Sequence, residues 1–205
     1  MKQLVGKLID SGYLKTAVII DAFLKIDRKD FVNEDLASRG YDNAPLPIGF
    51  GQTISQPLTV AFMLELLKPN SGDKILDVGS GSGWTTALLS YIVGKQGKVI
   101  ALERIKELKK WGEHNTDKYG FVKDGIAEFY VKDGSRGFAE RAPYDKILVS
   151  AAADEISDEL VRQLKKGGRL VMPIRKSIKL IRKISEKCHE EKEYFGFSFV
   201  PLIKD

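Results

Sequence analysis

The sequence predicts an α/β fold: a doubly wound, mainly parallel sheet with an antiparallel C-terminal edge and extra helices at the N-terminus. Three observations predict it. From Lys74 onward, apolar runs of strand length alternate with segments of helical period, the pattern of parallel strands joined by crossover helices. The first of these runs, Ile75-Leu76-Asp77-Val78, passes directly into Gly79-Ser80-Gly81-Ser82-Gly83, at the carboxyl end of a strand, where open α/β sheets bind ligands. Two late runs, about 177–185 and 194–200, lie too close for a helical crossover and are expected to pair antiparallel.

Each element has its own signal. Residues 3–11 and 15–26 read as short amphipathic helices, with Leu4, Val5, Leu8 and Ile9 on one face and Gly12 as a stop. Residues 35–56 show no helical period and are punctuated by Gly40, Pro45, Pro47, Gly49 and Gly51. They read as an irregular loop, kept in order by Leu46, Ile48, Phe50 and Ile54. Ser55 precedes Gln56-Pro57 and an apolar helical run through Leu67, so it reads as the cap of a helix with an early proline. After the glycine run comes a helix of roughly ten residues, stopping near Gly94 and Gly97. Val99–Leu102 is the next strand, followed by a charged helix from Lys106 to about Tyr119. Ile126–Val131 and Lys146–Ser150 are two further strands, and a helix over Ile156–Leu164 ends at Gly167-Gly168 ahead of a strand Arg169–Met172. Cys188-His189 reads as a turn between the two late strands.

Composition bounds the function. With 205 residues, 43% of them hydrophobic, the chain suits one domain spanning 1–205, of which 57–205 form the sheet and 1–56 add helices and a loop over it. The longest apolar runs are too short to cross a bilayer, and the N-terminus lacks the pattern of a signal peptide. The single cysteine, Cys188, allows no internal disulfide; a cytoplasmic, reducing location is expected. The net charge of +5 and the cluster Arg175, Lys176, Lys179, Arg182, Lys183, Lys187 raise nucleic-acid binding. The lysines alternate with Ile178, Leu180 and Ile184, the pattern of a protected edge strand, so nucleic acid is not the expected partner.

The chemistry is carried by acids at three strand ends. In the glycine run Asp77-Val78-Gly79-Ser80-Gly81-Ser82-Gly83-Trp84, a dinucleotide fingerprint would need a small residue where Trp84 stands. S-Adenosylmethionine has no pyrophosphate to cradle; it carries a sulfonium, an ammonium and a ribose, which carboxylates suit. Asp77 sits just before the loop, Glu103 ends the second strand where a carboxylate can accept both ribose hydroxyls, and Asp133-Gly134 follows the third where the adenine edge would lie. No Ser/His/Asp or Cys/His constellation and no metal-ligand spacing is evident, with His114 and His189 the only histidines.

Upstream lies Pro45-Leu46-Pro47-Ile48-Gly49-Phe50-Gly51-Gln52-Thr53-Ile54-Ser55-Gln56-Pro57. With this loop, the Asp77–Gly83 motif, Asp133-Gly134, Ala142–Asp145, Gln163–Leu170 and Phe199–Leu202, the chain resembles the protein-L-isoaspartate O-methyltransferase family from about residue 40 to the end. The resemblance implies a Rossmann-like, S-adenosylmethionine-dependent methyltransferase that esterifies the free carboxylate of isoaspartyl residues in damaged proteins and leaves S-adenosylhomocysteine. It also implies that Ser55 is the active-site residue and that Gln52, Thr53, Ile54 and Ser55 lie over cofactor and substrate. Gly79, Ser80, Gly81, Gly83, Asp77, Glu103, Asp133 and Gly134 complete the expected cofactor site, with no metal.

The chain departs from the family pattern twice. Ile174-Arg175-Lys176-Ser177 stands where a Val-Gly turn and a Gln are expected, and Ile203 replaces a hydroxyl residue. Both are expected at the C-terminal lip of the site, where they bear on substrate preference. Two other readings are kept: a methyltransferase of this fold acting on RNA, and a nucleotide-binding module without catalysis.

Overall fold

The computed structural model describes residues 1–186 and 188–203, so Lys187 of the basic cluster lies outside the described residues. Helix α1 (Lys2–Asp10) buries Leu4, Val5 and Leu8, and Gly12 ends it in the left-handed region. Ile9, expected on the same face, is 42% exposed. Helix α2 (Ala17–Lys25) buries Ile19, Ala22 and Phe23. Both pack into one core with α3 (Pro57–Leu67), α4 (Trp84–Val93) and α5 (Lys106–Asp117).

The main sheet has the order β5-β4-β3-β6-β7-β8-β9. Strands β3 (Lys74–Val78), β4 (Lys98–Glu103), β5 (Ala127–Val131), β6 (Tyr144–Val149) and β7 (Leu164–Ile174) run parallel. Strands β8 (Ser177–Ser185) and β9 (Cys188–Phe195) are antiparallel to their neighbours, as expected. Alternation along each strand separates the two faces. Ile75 and Val99 face α4 and α5, whereas Leu76, Val78 and Ile100 face Leu160 of the short helix α6 (Asp158–Arg162). From β3 the chain proceeds to β4 and β5 on one side, then returns to β6 on the other. That reversal opens a crevice beyond the carboxyl end of β3.

The structure corrects several local expectations. Residues 46–54 are not irregular but a hairpin of β1 (Leu46–Gly49) and β2 (Gln52–Ile54), turning at Phe50 and Gly51. Leu46, Ile48 and Ile54 point inward, but Phe50 at the tip is 59% exposed. A two-residue alternation this short is masked by its glycines and prolines, and Pro47 is tolerated because an edge position needs no N–H. Ser55 does not cap α3: Gln56 is the N-cap and makes no side-chain cap bond. The Leu58 N–H instead donates to Asn43 Oδ1 at 3.0 Å. Helix α6 is shorter than expected, and β7 begins at Leu164, with Gly167-Gly168 inside a register shift of its pairing with β6. The last strand is 188–195, so Cys188 and His189 belong to β9 rather than to the turn.

The basic run is also placed differently. Strand β8 is interior, and the edge is β9. Lys179 pairs with Glu191 at 3.1 Å and Arg182 with Glu190 at 3.7 Å across that edge. Lys183 is buried and donates to the carbonyls of Arg162 and Leu164. Acids of β9 therefore partner two members of the cluster, Lys179 and Arg182, while Lys183 pairs with Glu186. Arg175 occupies the β7–β8 turn with φ +53°, the conformation that a glycine would adopt without strain.

Candidate active site

The crevice is floored by the turn after β3. Asp77 is fully buried, and its Oδ2 accepts hydrogen bonds from Thr86 Oγ1 at 2.6 Å and Thr85 Oγ1 at 3.0 Å. Its Oδ1 has no partner among the described residues. Burial pushes the carboxyl up to about 6, the two threonine hydroxyls opposing the shift and the Glu103 charge adding to it. A buried carboxylate oxygen left without a donor is costly unless a ligand completes it.

Glu103 ends β4 and is buried. Its Oε2 accepts from the Gly81 N–H and its Oε1 from the Ile105 N–H, each at 3.0 Å. The carboxylate thus fixes the glycine turn while each oxygen keeps lone-pair capacity. Asp133 closes a turn after β5, accepting from Ser135 N at 2.8 Å and Ser135 Oγ at 2.9 Å. Gly134 beside it lies so close to Val78 that a Cβ would collide with that side chain.

The hairpin forms the roof. Gln52, Thr53, Ile54 and Ser55 line the same cleft as Gly79, Ser80, Gly81, Glu103, Asp133 and Gly134. Asp77 lies behind this lining, and Gly83 serves packing: a Cβ there would sit 2.5 Å from the Gly112 carbonyl oxygen on α5. Reading from the sequence missed Gly112, and it missed Arg104, Lys132 and Ser150, which also line the cleft. The C-terminal segment closes one side, tied to the chain after β6 by Ala152 N to Val200 O at 2.8 Å and Leu202 N to Ala152 O at 2.7 Å. Ile203 lines the cleft, as the sequence placed it, whereas Arg175 does not.

A second groove runs beside the first, between Tyr13, Pro45 and Leu58 on one side and Phe195, Phe197 and Phe199 on the other. Thr53, Ser55, Ser150 and Val200 line both. The site is therefore a cleft that carries Glu103 and Asp133 beside Arg104 and Lys132, joined at a cluster of hydroxyls to a groove with aromatic side chains.

The family model described as Protein-L-isoaspartate(D-aspartate) O-methyltransferase (PCMT) matches residues 1–205. The chain belongs to this family. It is 41% identical to the protein-L-isoaspartate O-methyltransferase of Methanopyrus kandleri over 98% of this chain and 90% of that one. It is 42% identical to the Aeropyrum pernix protein of that name over 98% of this chain and 78% of that one. The fold is similar to the crystal structure of a Plasmodium falciparum protein assigned to the same activity, in complex with S-adenosyl-L-homocysteine. The TM-score is 0.86 at 26% identity, covering 100% of this chain and 98% of that one. The expected resemblance is thus shown, and with it the doubly wound methyltransferase fold and an S-adenosylmethionine-dependent methyltransferase.

Proposed function

We propose that the chain transfers the methyl group of S-adenosylmethionine to the free carboxylate of isoaspartyl residues in peptides and proteins. In this reading the cofactor lies in the cleft of Glu103 and Asp133 and the peptide in the groove of Phe195, Phe197 and Phe199. The observation that carries the reading is the meeting of the two at Thr53, Ser55 and Ser150.

The residues present suit the cofactor. The unpartnered Asp77 Oδ1 and the buried, unpartnered Ser80 Oγ offer polar contacts beside the glycine turn. Glu103 has the lone pairs for two ribose hydroxyls, and Asp133-Gly134, in the same lining, would meet the adenine edge. Bound there, S-adenosylmethionine supplies an electrophilic methyl group on a cationic sulfur. The protein's share is alignment and dryness. A substrate carboxylate with a pKa of about 4 is already ionised at neutral pH, so no general base is required. The Ser55 and Thr53 hydroxyls can donate to one oxygen and aim the other at the methyl group, while Ile48 and Leu202 exclude water. The packing of α1 and α2 into the same core as α3–α5 supports a single domain. No helix among the described residues is long and apolar enough to cross a membrane. With Cys188 unable to pair within the chain, we keep the cytoplasm as the expected location.

The deciding experiment is transfer of labelled methyl to an isoaspartyl peptide, with its aspartyl twin as control. The label is expected on the isoaspartyl peptide and to be released by mild alkali, as esters are. Alkali-stable label on RNA would overturn the reading.

Two substitutions test the assigned roles. Glu103→Ala should weaken S-adenosylhomocysteine binding by about 1.5–3 kcal/mol, the range for hydrogen bonds to a charged group. Unchanged affinity by calorimetry would remove Glu103 from the site. Ser55→Ala should lower kcat/KM by a similar free energy with cofactor affinity intact. As Ser55 is not the cap of α3, its melting temperature should move little. Unaltered turnover would leave Ser55 without a role in transfer.

A further inference from the structure

Arg28 opens a short 3₁₀ turn, Arg28–Phe31, after α2, and its side chain is fully buried. Among the described residues its hydrogen-bond acceptors are all backbone carbonyls. Nη1 donates to the carbonyls of Gly40 and Asp42 at 3.0 and 3.1 Å, and Nη2 to those of Ala44 and Ser55 at 2.9 and 3.1 Å. Three of these acceptors lead into the β1–β2 hairpin and the fourth is the residue that leaves it. The guanidinium carbon lies 5.4 Å from the centre of the Trp84 ring. Trp84 is the first residue of α4, directly after the glycine turn. One side chain therefore joins the two limbs of the roof to each other and to the floor of the cleft.

From this geometry we propose that Arg28 is a positioning residue for methyl transfer, setting the Thr53–Ser55 strand at the junction of cleft and groove. The proposal rests on the reading that transfer takes place at that junction. An apolar side chain could fill the same volume without the desolvation cost of a buried cation. It could not bind four carbonyls from two separate segments. Burial lowers the guanidinium to about 10, the charge of Asp42 opposing the shift, so it stays protonated at neutral pH. Lysine is a poor substitute because its ammonium has three donors at one point rather than a planar fork. A shift of the strand by about 1 Å costs on the order of 10²-fold in rate even when nothing touching the substrate has changed.

The test compares Arg28→Lys and Arg28→Met with the wild-type protein, at temperatures where each is folded. For Arg28→Lys, kcat on the isoaspartyl peptide should fall by about tenfold or more. KM and S-adenosylhomocysteine affinity should stay within about threefold of wild type, a change of under about 1 kcal/mol. Amide exchange should quicken within residues 40–55 and not in β3–β7. Arg28→Met should show the same pattern more strongly. A folded Arg28→Lys protein with wild-type kcat overturns the proposal, as does faster exchange spread through the sheet with kcat unchanged. Because Arg28→Lys retains the charge and much of the volume, the decision does not depend on the methionine variant folding. Ser55→Ala separates the two ideas: full activity there, beside a slow Arg28→Lys, would remove the role of Ser55 and leave that of Arg28.

Discussion

Asp77→Asn is expected to stabilise the unliganded protein above pH 6 and to cripple its cofactor binding. In the folded chain the Asp77 carboxyl is raised from 3.8 to about 6, chiefly by burial. The folded state then binds this proton more tightly than the unfolded state. The stability contributed by the group is complete below the unfolded value and is lost as pH rises through the folded one. Above about 6 the empty site holds a buried charge, and a gap of about two pH units corresponds to about 3 kcal/mol. Asparagine removes the charge, and its oxygen can still accept from Thr85 and Thr86. Melting curves of the two proteins from pH 4 to 8 should therefore diverge as pH rises, with the variant several degrees higher at pH 7.5. Calorimetry should show the reverse for S-adenosylhomocysteine: the wild type binds more weakly as pH falls below about 6, and the variant binds weakly throughout. A variant that melts lower than wild type at pH 7.5 would show that the charge at Asp77 costs the empty fold nothing.

Isoaspartyl peptides should be methylated at least about 10²-fold faster than their aspartyl twins, with little dependence on flanking sequence. The two peptides carry the same charge, so affinity for a carboxylate cannot separate them. They differ in branch point: the isoaspartyl link adds a methylene to the backbone and presents an α-carboxylate where the normal residue has its side chain. With the hydroxyls of Thr53 and Ser55 held at the junction, the normal peptide's carboxylate should lie out of line with the methyl group, and misplacement by about 1 Å has a cost of that order. The groove is lined by Phe195, Phe197 and Phe199 and, among the described residues, by no charged side chain, which favours contact with many sequences. Rates on a matched peptide pair, with several flanking sequences, check both statements. Equal rates on the two twins would mean that the junction does not sense the branch point.

Legibility varied by region for physical reasons. The Asp77–Gly83 turn and the acids at 103 and 133 were readable because a strand end, a glycine run and a carboxylate at a fixed place relative to them are local features. The 46–54 hairpin reads as a loop because four- and three-residue strands broken by Gly and Pro carry too little periodicity. The cap assigned to Ser55 failed because Asn43, from a different segment, supplies the acceptor. The basic run on β8 looks like an exposed edge in the sequence because the strand that covers it begins at Cys188, six residues before the expected start, and brings Glu190 and Glu191 beside Arg182 and Lys179.

By itself the sequence determined the alternation of strands and helices, the glycine turn and the carboxylates around it, since backbone conformation and side-chain period are set over a few residues. Its resemblance to the methyltransferase family supplied the loop residues. Only the tertiary structure decided that Thr53, Ser55, Ser150 and Val200 converge, because that requires β6 to lie beside β3 and the C-terminal segment to return along the cleft. It alone decided the state of Asp77 and the task of Arg28. A carboxyl's titration depends on how completely the fold removes it from water, and an arginine's role depends on which distant carbonyls its fork can reach.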